Sequence, residues 1–207
     1  MMMLVELREK IPFDIFTSLE LTALLTAYSS PLKKISSMIS SGEIIQIRRG
    51  LYTFPEALRR EPLSIGTLAN RIHGPSYVSE DFALSYYGLI PETPALVTSI
   101  ALGRSREFSN DFGVFSYRYC RSQAYHIGIT ATGEGQNRFL VATPEKALFD
   151  KILFDKRFDG TDIESYLYED LRLDEELLQN FNKENIAELA PFMCGRLRSL
   201  LKYLEAL

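Results

Sequence analysis

Cationic and hydroxyl side chains are concentrated in one short stretch, between Ser30 and Tyr52. Lysine and arginine neutralise phosphates, and short hydroxyl side chains can approach the edges of nucleic-acid bases. Serine discriminates poorly between bases, so no target sequence can be deduced from these residues. The candidate DNA contacts are Lys33, Lys34, Ser36, Ser37, Arg48 and Arg49.

A helix beginning at Pro31 is predicted to present the lysines and serines. Ser30 can cap this helix, and Pro31 fits its first position, where a missing N–H costs no hydrogen bond. Gly42 is a typical helix stop. The apolar residues recur at helical spacing and predict one buried stripe, which leaves the polar residues on the other faces. The predicted stripe consists of Leu32, Ile35, Met38 and Ile39.

A basic β-hairpin is predicted to follow this helix. Residues 45–48 alternate apolar and polar side chains as a strand does, and residues 51–54 form a candidate return strand. Arg49-Gly50 forms the tight turn between them. The hairpin therefore places Arg48 and Arg49 at its tip.

Two further helices are predicted before Pro31. One covers residues 3–10, and the other is capped by Thr17 or Ser18. Its apolar positions are Leu19, Leu21, Leu24 and Leu25. Helix, helix, turn, helix and hairpin, in this order, predict a winged helix-turn-helix DNA-binding domain over residues 1–55.

The whole chain is predicted to be an α+β protein in which residues 62–207 form a mixed α/β body with a helical C-terminal tail. Strands are predicted from β-branched and aromatic composition, with three or four of them in one mixed sheet. The predicted strands cover residues 76–79, 95–102, 114–120 and 138–142, with a further candidate over 124–129. The predicted helices cover residues 63–72, 80–87 and 143–154, followed by the all-helical region after Gly160.

The charge is unevenly distributed along the chain. The net charge is −4, yet residues 1–60 hold eight Lys/Arg against six Asp/Glu, and residues 61–207 hold fifteen against twenty-one. A chain of this overall sign is not a general nucleic-acid binder. A basic first part on an acidic remainder is compatible with local DNA binding by the first part.

Membrane and secretory segments are not indicated. No apolar run approaches the roughly 20 residues that are needed to cross a bilayer. Residues 1–7 are too short, and have the wrong flank, for a secretory signal. We therefore expect a cytoplasmic protein with no membrane partner.

Catalytic chemistry is weakly indicated. His73 and His126 are the two histidines of the sequence, and neither has a second histidine or cysteine at metal-ligand spacing. No nucleotide-binding or hydrolase motif occurs. We therefore expect no catalytic residue, no bound metal and no cofactor.

A metal-dependent nuclease is the one enzymatic alternative. Glu80-Asp81 and Glu145-Lys146, together with Asp150, would supply acids and a lysine near a sheet. The structural interpretation of the same residues is a first-turn acid at Glu145, a solvated Lys146, and an ion pair between Lys146 and Asp150 at i, i+4.

Three segments resemble the AbiEi-like antitoxins of type IV toxin–antitoxin systems. The first is Ile47-Arg48-Arg49-Gly50-Leu51-Tyr52. The second combines Pro75-Ser76-Tyr77-Val78-Ser79 with the segment Ala83-Leu84-Ser85-Tyr86-Tyr87-Gly88-Leu89. The third is Ala142-Thr143-Pro144-Glu145-Lys146-Ala147-Leu148-Phe149-Asp150. In this order and at these distances, the likeness covers most of residues 10–155.

This resemblance implies a transcriptional autorepressor that is also an antitoxin. Its first domain would bind inverted repeats in double-stranded DNA near its own promoter. Its body would counteract a nucleotidyltransferase toxin without needing a stable complex. The resemblance implies that the six candidate residues named above contact DNA, and it assigns no residue to antitoxicity.

Two non-enzymatic alternatives remain open. Winged helices also serve as protein-docking modules, and the chain could be a stand-alone regulator whose body senses a small molecule or a protein. Self-association on DNA is compatible with binding at repeats, because linked weak sites act together through effective concentration.

Overall fold

A computed structural model describes residues 4–121 and 123–207. Its first part combines three helices with a three-stranded antiparallel sheet in the order β1-β3-β2. These elements are α1 (Leu4–Lys10), β1 (Ile15–Thr17), α2 (Ser18–Leu24), α3 (Pro31–Ser40), β2 (Ile45–Arg48) and β3 (Leu51–Thr53). The predicted helices and hairpin are confirmed, although residue 3 of the first predicted helix lies outside the described residues. The short strand β1 is missing from the sequence prediction.

Local signals start and end these helices. The Thr17 hydroxyl accepts a hydrogen bond from the Glu20 N–H (3.3 Å), and the Glu20 carboxylate accepts one from the Thr17 N–H (2.6 Å). This reciprocal capping box satisfies two backbone donors at the start of α2. Ser30 occupies the cap position of α3, but its side chain makes no capping hydrogen bond. Gly42, at φ +73°, turns the chain from α3 toward β2 in a conformation that favours glycine.

The three-stranded sheet is covered on both faces. Successive side chains of a strand point to opposite faces. Phe16 and Tyr52 pack into the core formed with α1, α2 and α3. Ile15, Ile47 and Leu51 belong to the core shared with residues 62–207. Helix α3 therefore lies on the side of the sheet away from the body.

Two leucines predicted to be apolar core positions are exposed instead. Leu19 is 78% exposed and Leu32 is 66% exposed, whereas Ile35 and Met38 are buried. Successive helical residues are about 100° apart, so Leu32 lies about 90° from the middle of the arc between Ile35 and Met38. The buried stripe of α3 is therefore narrower than the sequence spacing predicts, and Leu32 lies at its edge.

The remainder of the chain is built on a six-stranded mixed sheet in the order β6-β7-β5-β4-β9-β8. The β5–β7 and β4–β9 pairs are parallel, and the other neighbours are antiparallel. The strands are β4 (Ser76–Val78), β5 (Leu96–Ala101), β6 (Arg106–Asn110), β7 (Gly113–Tyr119), β8 (Ile129–Thr132) and β9 (Phe139–Ala142). The α+β class and the mixed sheet are thus confirmed, with more strands than predicted.

Helices pack against this sheet and form the C-terminal part. They are α4 (Ile65–Ile72), α5 (Glu80–Tyr86), α6 (Pro144–Phe154), α7 (Ile163–Ser165), α8 (Glu175–Gln179), α9 (Lys183–Leu189) and α10 (Leu197–Ala206). Residues 161–207 contain no strand, as predicted. No helix in residues 4–121 or 123–207 is long and apolar enough to cross a membrane.

Two strand assignments differ from the prediction. The candidate strand over 124–129 is wrong, because Gln123–His126 form a 3-10 turn that buries Ala124 and Tyr125. The strand in this region is β8, which begins after Gly128 at φ +66°. Strand β6 is missing from the prediction because it lies at the sheet edge, pairs only with β7 and is largely polar.

Candidate nucleic-acid interface

The outer face of α3 carries the predicted cationic and hydroxyl side chains. Lys33, Ser36 and Ser37 are exposed, and they lie opposite the buried Ile35 and Met38. The three polar residues therefore share one solvent-facing surface, on the side of the molecule away from the body. A convex helix face of this kind can enter the major groove of duplex DNA.

Lys34 differs from Lys33 in its surroundings. Its Nζ lies 3.6 Å from the Glu43 carboxylate and 6.0 Å from the centre of the Tyr28 ring. Its side chain is 20% exposed. The carboxylate offsets part of the positive charge, so we expect Lys34 to attract phosphates less strongly than Lys33.

Two serine hydroxyls of α3, those of Ser36 and Ser40, donate hydrogen bonds within the helix. Ser36 Oγ donates to the Leu32 carbonyl at 3.1 Å, and Ser40 Oγ donates to the Ser36 carbonyl at 3.0 Å. Both hydroxyl protons are thus engaged, and each oxygen can still accept a hydrogen bond. Ser37 is exposed on the same surface.

Arg48 and Arg49 are both exposed at the tip of the β2–β3 hairpin. Arg48 Nη1 donates to the Arg49 carbonyl at 3.1 Å, and Gly50 takes a φ of +81° in the turn. The body contacts the neighbouring backbone, because Asn110 Nδ2 donates to the Ile47 carbonyl at 3.0 Å. The hairpin tip is therefore braced from one side by the β6–β7 turn.

Asp14 forms a second connection between the two parts of the chain. Its carboxylate pairs with Arg8 at 2.7 Å and accepts the backbone N–H groups of Arg60 and Glu61. Its own N–H donates to Gln136 Oε1 at 2.7 Å. Asp14 thus links α1 and the connector after β3 through its buried carboxylate, and the body through its backbone N–H.

The Lys146–Asp150 pair of the nuclease alternative lies in the interior. Lys146 Nζ is 2.8 Å from Asp150 Oδ1, and both side chains are 0% exposed. Tyr77 and Ser79 donate hydroxyl hydrogen bonds to Asp150 Oδ2 at 2.9 and 2.8 Å. The predicted i, i+4 pair is confirmed, whereas the expectation that Lys146 is solvated is wrong.

The Lys146–Asp150 pair is shielded from solvent. Burial raises the pKa of Asp150, while the Lys146 ammonium and the two hydroxyl donors oppose that rise. The Lys146 ammonium also lies 4.6 Å from the centre of the Phe149 ring. Each oxygen of Asp150 therefore has a partner from within the protein.

The other acids of the nuclease alternative also have intramolecular partners. Glu145 accepts hydrogen bonds from the Asn182 N–H at 2.7 Å and from Asn185 Nδ2 at 2.9 Å. Asp81 pairs with Lys151 at 2.7 Å. Within residues 4–121 and 123–207, no group of three His, Cys, Asp or Glu residues is arranged to hold a metal ion.

Glu80 is a second acid of this group whose titration is strongly perturbed by burial. Its carboxylate is almost fully buried, and its backbone takes a φ of +52°. Burial raises the pKa of Glu80 to about 8. Arg118 Nε lies 2.9 Å away, but the Arg118 side chain is 41% exposed, so solvent screens its charge and burial dominates.

The two hydroxyl partners of Asp150 were not predicted from the sequence. Tyr77 and Ser79 stand two residues apart in a predicted strand, and that spacing places both side chains on one face. The periodicity could have indicated a paired polar face. Nothing in the sequence of residues 143–154 indicates that Tyr77 and Ser79 contact Asp150, because the sheet brings these distant segments together.

Comparison of the sequence with protein-family models and with curated proteins finds no significant match.

Proposed function

We propose that this protein is a DNA-binding transcriptional autorepressor and the antitoxin of a type IV toxin–antitoxin pair. The observation that carries DNA binding is the order α1-β1-α2-α3-β2-β3, with α3 exposed on the side away from the body. This order is that of a winged helix-turn-helix, with α3 as the recognition helix and the β2–β3 hairpin as the wing. Residues 1–55 would form this domain, and residues 62–207 the antitoxin-like body.

Phosphate contacts would come chiefly from Lys33, Arg48 and Arg49. All three are exposed, so neutralising a phosphate requires little desolvation. Lys34 would add less because Glu43 competes for its charge. Ser36 and Ser37 would face base edges from α3. Each phosphate contact releases counterions and steepens the salt dependence of binding by about 0.9 in a plot of log affinity against log salt concentration.

The binding test is fluorescence anisotropy with a labelled duplex from upstream of the gene, repeated over a series of salt concentrations. We expect Lys33→Ala and Arg48→Ala/Arg49→Ala to weaken binding on all duplex sequences. Each lost contact should flatten the salt slope by about one. Lys183→Ala/Lys202→Ala is the matched control, because both lysines are exposed on α9 and α10.

Unchanged affinity and salt slope in Arg48→Ala/Arg49→Ala would contradict the wing assignment. Equal weakening by the control pair would show that the overall charge, rather than this surface, drives binding. Absence of duplex binding by the unaltered protein at low ionic strength would overturn the DNA-binding proposal.

The antitoxin role rests on the resemblance of the three segments to the AbiEi-like antitoxins. The Glu145 and Asp150 carboxylates accept their hydrogen bonds from groups of the protein itself. The test is co-expression with a nucleotidyltransferase encoded in the neighbouring reading frame. Restored growth supports the antitoxin role, and continued growth arrest with stable protein contradicts it.

A variant that cannot bind DNA should lose repression and keep antitoxicity in the same experiment. Lys33→Ala combined with Arg48→Ala/Arg49→Ala should derepress the promoter while still restoring growth. We expect this because Lys33, Arg48 and Arg49 are exposed side chains of the first part of the chain and are not packed into the core of the body. Loss of growth rescue in a folded, normally abundant variant would contradict that separation.

A further inference from the structure

The two most exposed large apolar side chains of the described residues both lie in the proposed helix-turn-helix. Leu19 is 78% exposed and Leu32 is 66% exposed. Each is the second residue of its helix, Leu19 in α2 and Leu32 in α3. In a helix-turn-helix, the N-terminal residues of the second helix contact base edges while the first helix crosses the backbone.

Leu32 shares the outer face of α3 with the candidate polar contacts. At about 100° per residue, Leu32 and Ser36 are about 40° apart around the helix. Ser40 lies a further 40° around in the same direction but about 12 Å along the axis from Leu32, and Lys33 follows Leu32 at about 100°. The isobutyl group of Leu32 is thus part of the surface that would face the groove.

Two serine hydroxyls on the outer face of α3 can distinguish few features of the bases. Ser36 and Ser40 already donate their hydroxyl protons to backbone carbonyls. In this state they can only accept hydrogen bonds from an adenine or cytosine amino group. Thymine presents one apolar group in the major groove, its 5-methyl group, and Leu32 is the matching apolar group on this face.

We propose that Leu32 reads the 5-methyl group of a thymine in the major groove, and that Leu19 covers a neighbouring sugar of the backbone. This inference rests on the proposed DNA-binding function and names the base feature that α3 recognises. Charge complementarity favours duplex DNA as the occupant, because Lys33 adjoins Leu32 on the exposed face. Two leucine side chains are also far less than the ~800 Å² per partner of a stable protein interface.

The experiment selects tight-binding duplexes from a random library with the full-length protein. Each thymine of the selected site is then replaced by uracil, which removes the methyl group and nothing else. We expect one thymine per half-site at which uracil weakens binding about fourfold, the factor that corresponds to burying one methyl group.

Variants assign this effect to a side chain. With Leu32→Ala, the same uracil substitution should change the affinity by less than about 1.5-fold, because the methyl group has lost its contact. Leu19→Ala is the matched control: it removes the same apolar volume and should weaken binding on all sequences while keeping the fourfold thymine–uracil difference. Far-ultraviolet circular dichroism and size-exclusion chromatography establish that both variants are folded and monitor their oligomeric state.

The outcomes separate this inference from the function on which it rests. Selected sites with no thymine–uracil difference overturn the methyl contact alone, as does a difference that survives Leu32→Ala. A protein that binds no duplex overturns the proposed function and this inference together. A Leu32→Ala variant that dissociates an oligomer without changing thymine–uracil discrimination would assign the leucine to a protein contact instead.

Discussion

Replacing Lys146 by methionine should strongly destabilise the protein. Methionine keeps an unbranched apolar stem of similar length, so the packing against Phe149 is retained and little cavity forms. The ammonium is lost, and Asp150 remains in a 0% exposed site without a compensating charge. Breaking a buried ion pair from one side typically costs about 3–5 kcal/mol.

The structure favours the lower part of that range. Asp150 loses one of three hydrogen-bond donors, while Tyr77 and Ser79 still donate to its other oxygen. For a chain of this size, 3 kcal/mol corresponds to a decrease in Tm of roughly 6–12 °C. Thermal and urea unfolding followed by circular dichroism at 222 nm measure this decrease.

The penalty should depend on pH with a defined sign. Without Lys146, the folded-state pKa of Asp150 rises further above its unfolded value, because the charged form has lost its partner. A group whose pKa is higher in the folded state contributes stability below its unfolded-state pKa, which is about 3.9 for Asp. This contribution is lost as pH rises through the folded-state pKa. Lys146→Met should therefore be less destabilised at pH 5 than at pH 8.

Two further variants test whether the unpaired buried charge causes the loss of stability. Lys146→Met/Asp150→Asn removes the unpaired charge and should recover at least half of the lost stability. Lys202→Met makes the same change at an exposed site of α10 and should change stability by no more than about 0.5 kcal/mol. A Tm of Lys146→Met within 2 °C of the unaltered protein, or a double variant as unstable as the single one, would refute the account of the buried pair.

Two other changes test the remaining features of the body. Glu80→Gln should remove a pH dependence of stability, because the pKa of Glu80 is raised from 4.5 to about 8 and its contribution to stability declines between those values. The urea midpoint of the variant should therefore rise relative to that of the unaltered protein from pH 5 to pH 8. Glu188→Gln, at an exposed site, should show no such trend. Gly66→Ala should destabilise by about 1–3 kcal/mol because its Cβ would lie 2.5 Å from the Phe139 ring, and an unchanged urea midpoint would show that the ring can move aside.

Helix positions were largely predictable because their signals are local. The Thr143 cap and Pro144 predict the start of α6, and the Thr143 hydroxyl accepts from the Lys146 N–H at its N-terminus. The i, i+4 spacing of Lys146 and Asp150 predicts their ion pair. In each case, the interacting groups lie within one or two turns of each other in the sequence.

Burial and strand order were not predictable in the same way. Leu32 has helical spacing with Ile35 and Met38, yet it is exposed, because the width of the buried stripe depends on what packs against the helix. Strand β4 pairs with β9, more than sixty residues later in the chain, and this pairing has no local signal. The same separation concealed the contact between Ser79 and Asp150.

By itself, the sequence determined the helices, the basic hairpin, and the placement of Lys33, Ser36 and Ser37 on a common helix face, because periodicity and capping act over a few residues. Tertiary structure alone decided that Lys146 and Asp150 are buried, that the Glu43 carboxylate offsets part of the charge of Lys34, and that Leu32 faces solvent. These outcomes depend on which distant segments exclude water from a side chain, and a local pattern carries no information about those segments.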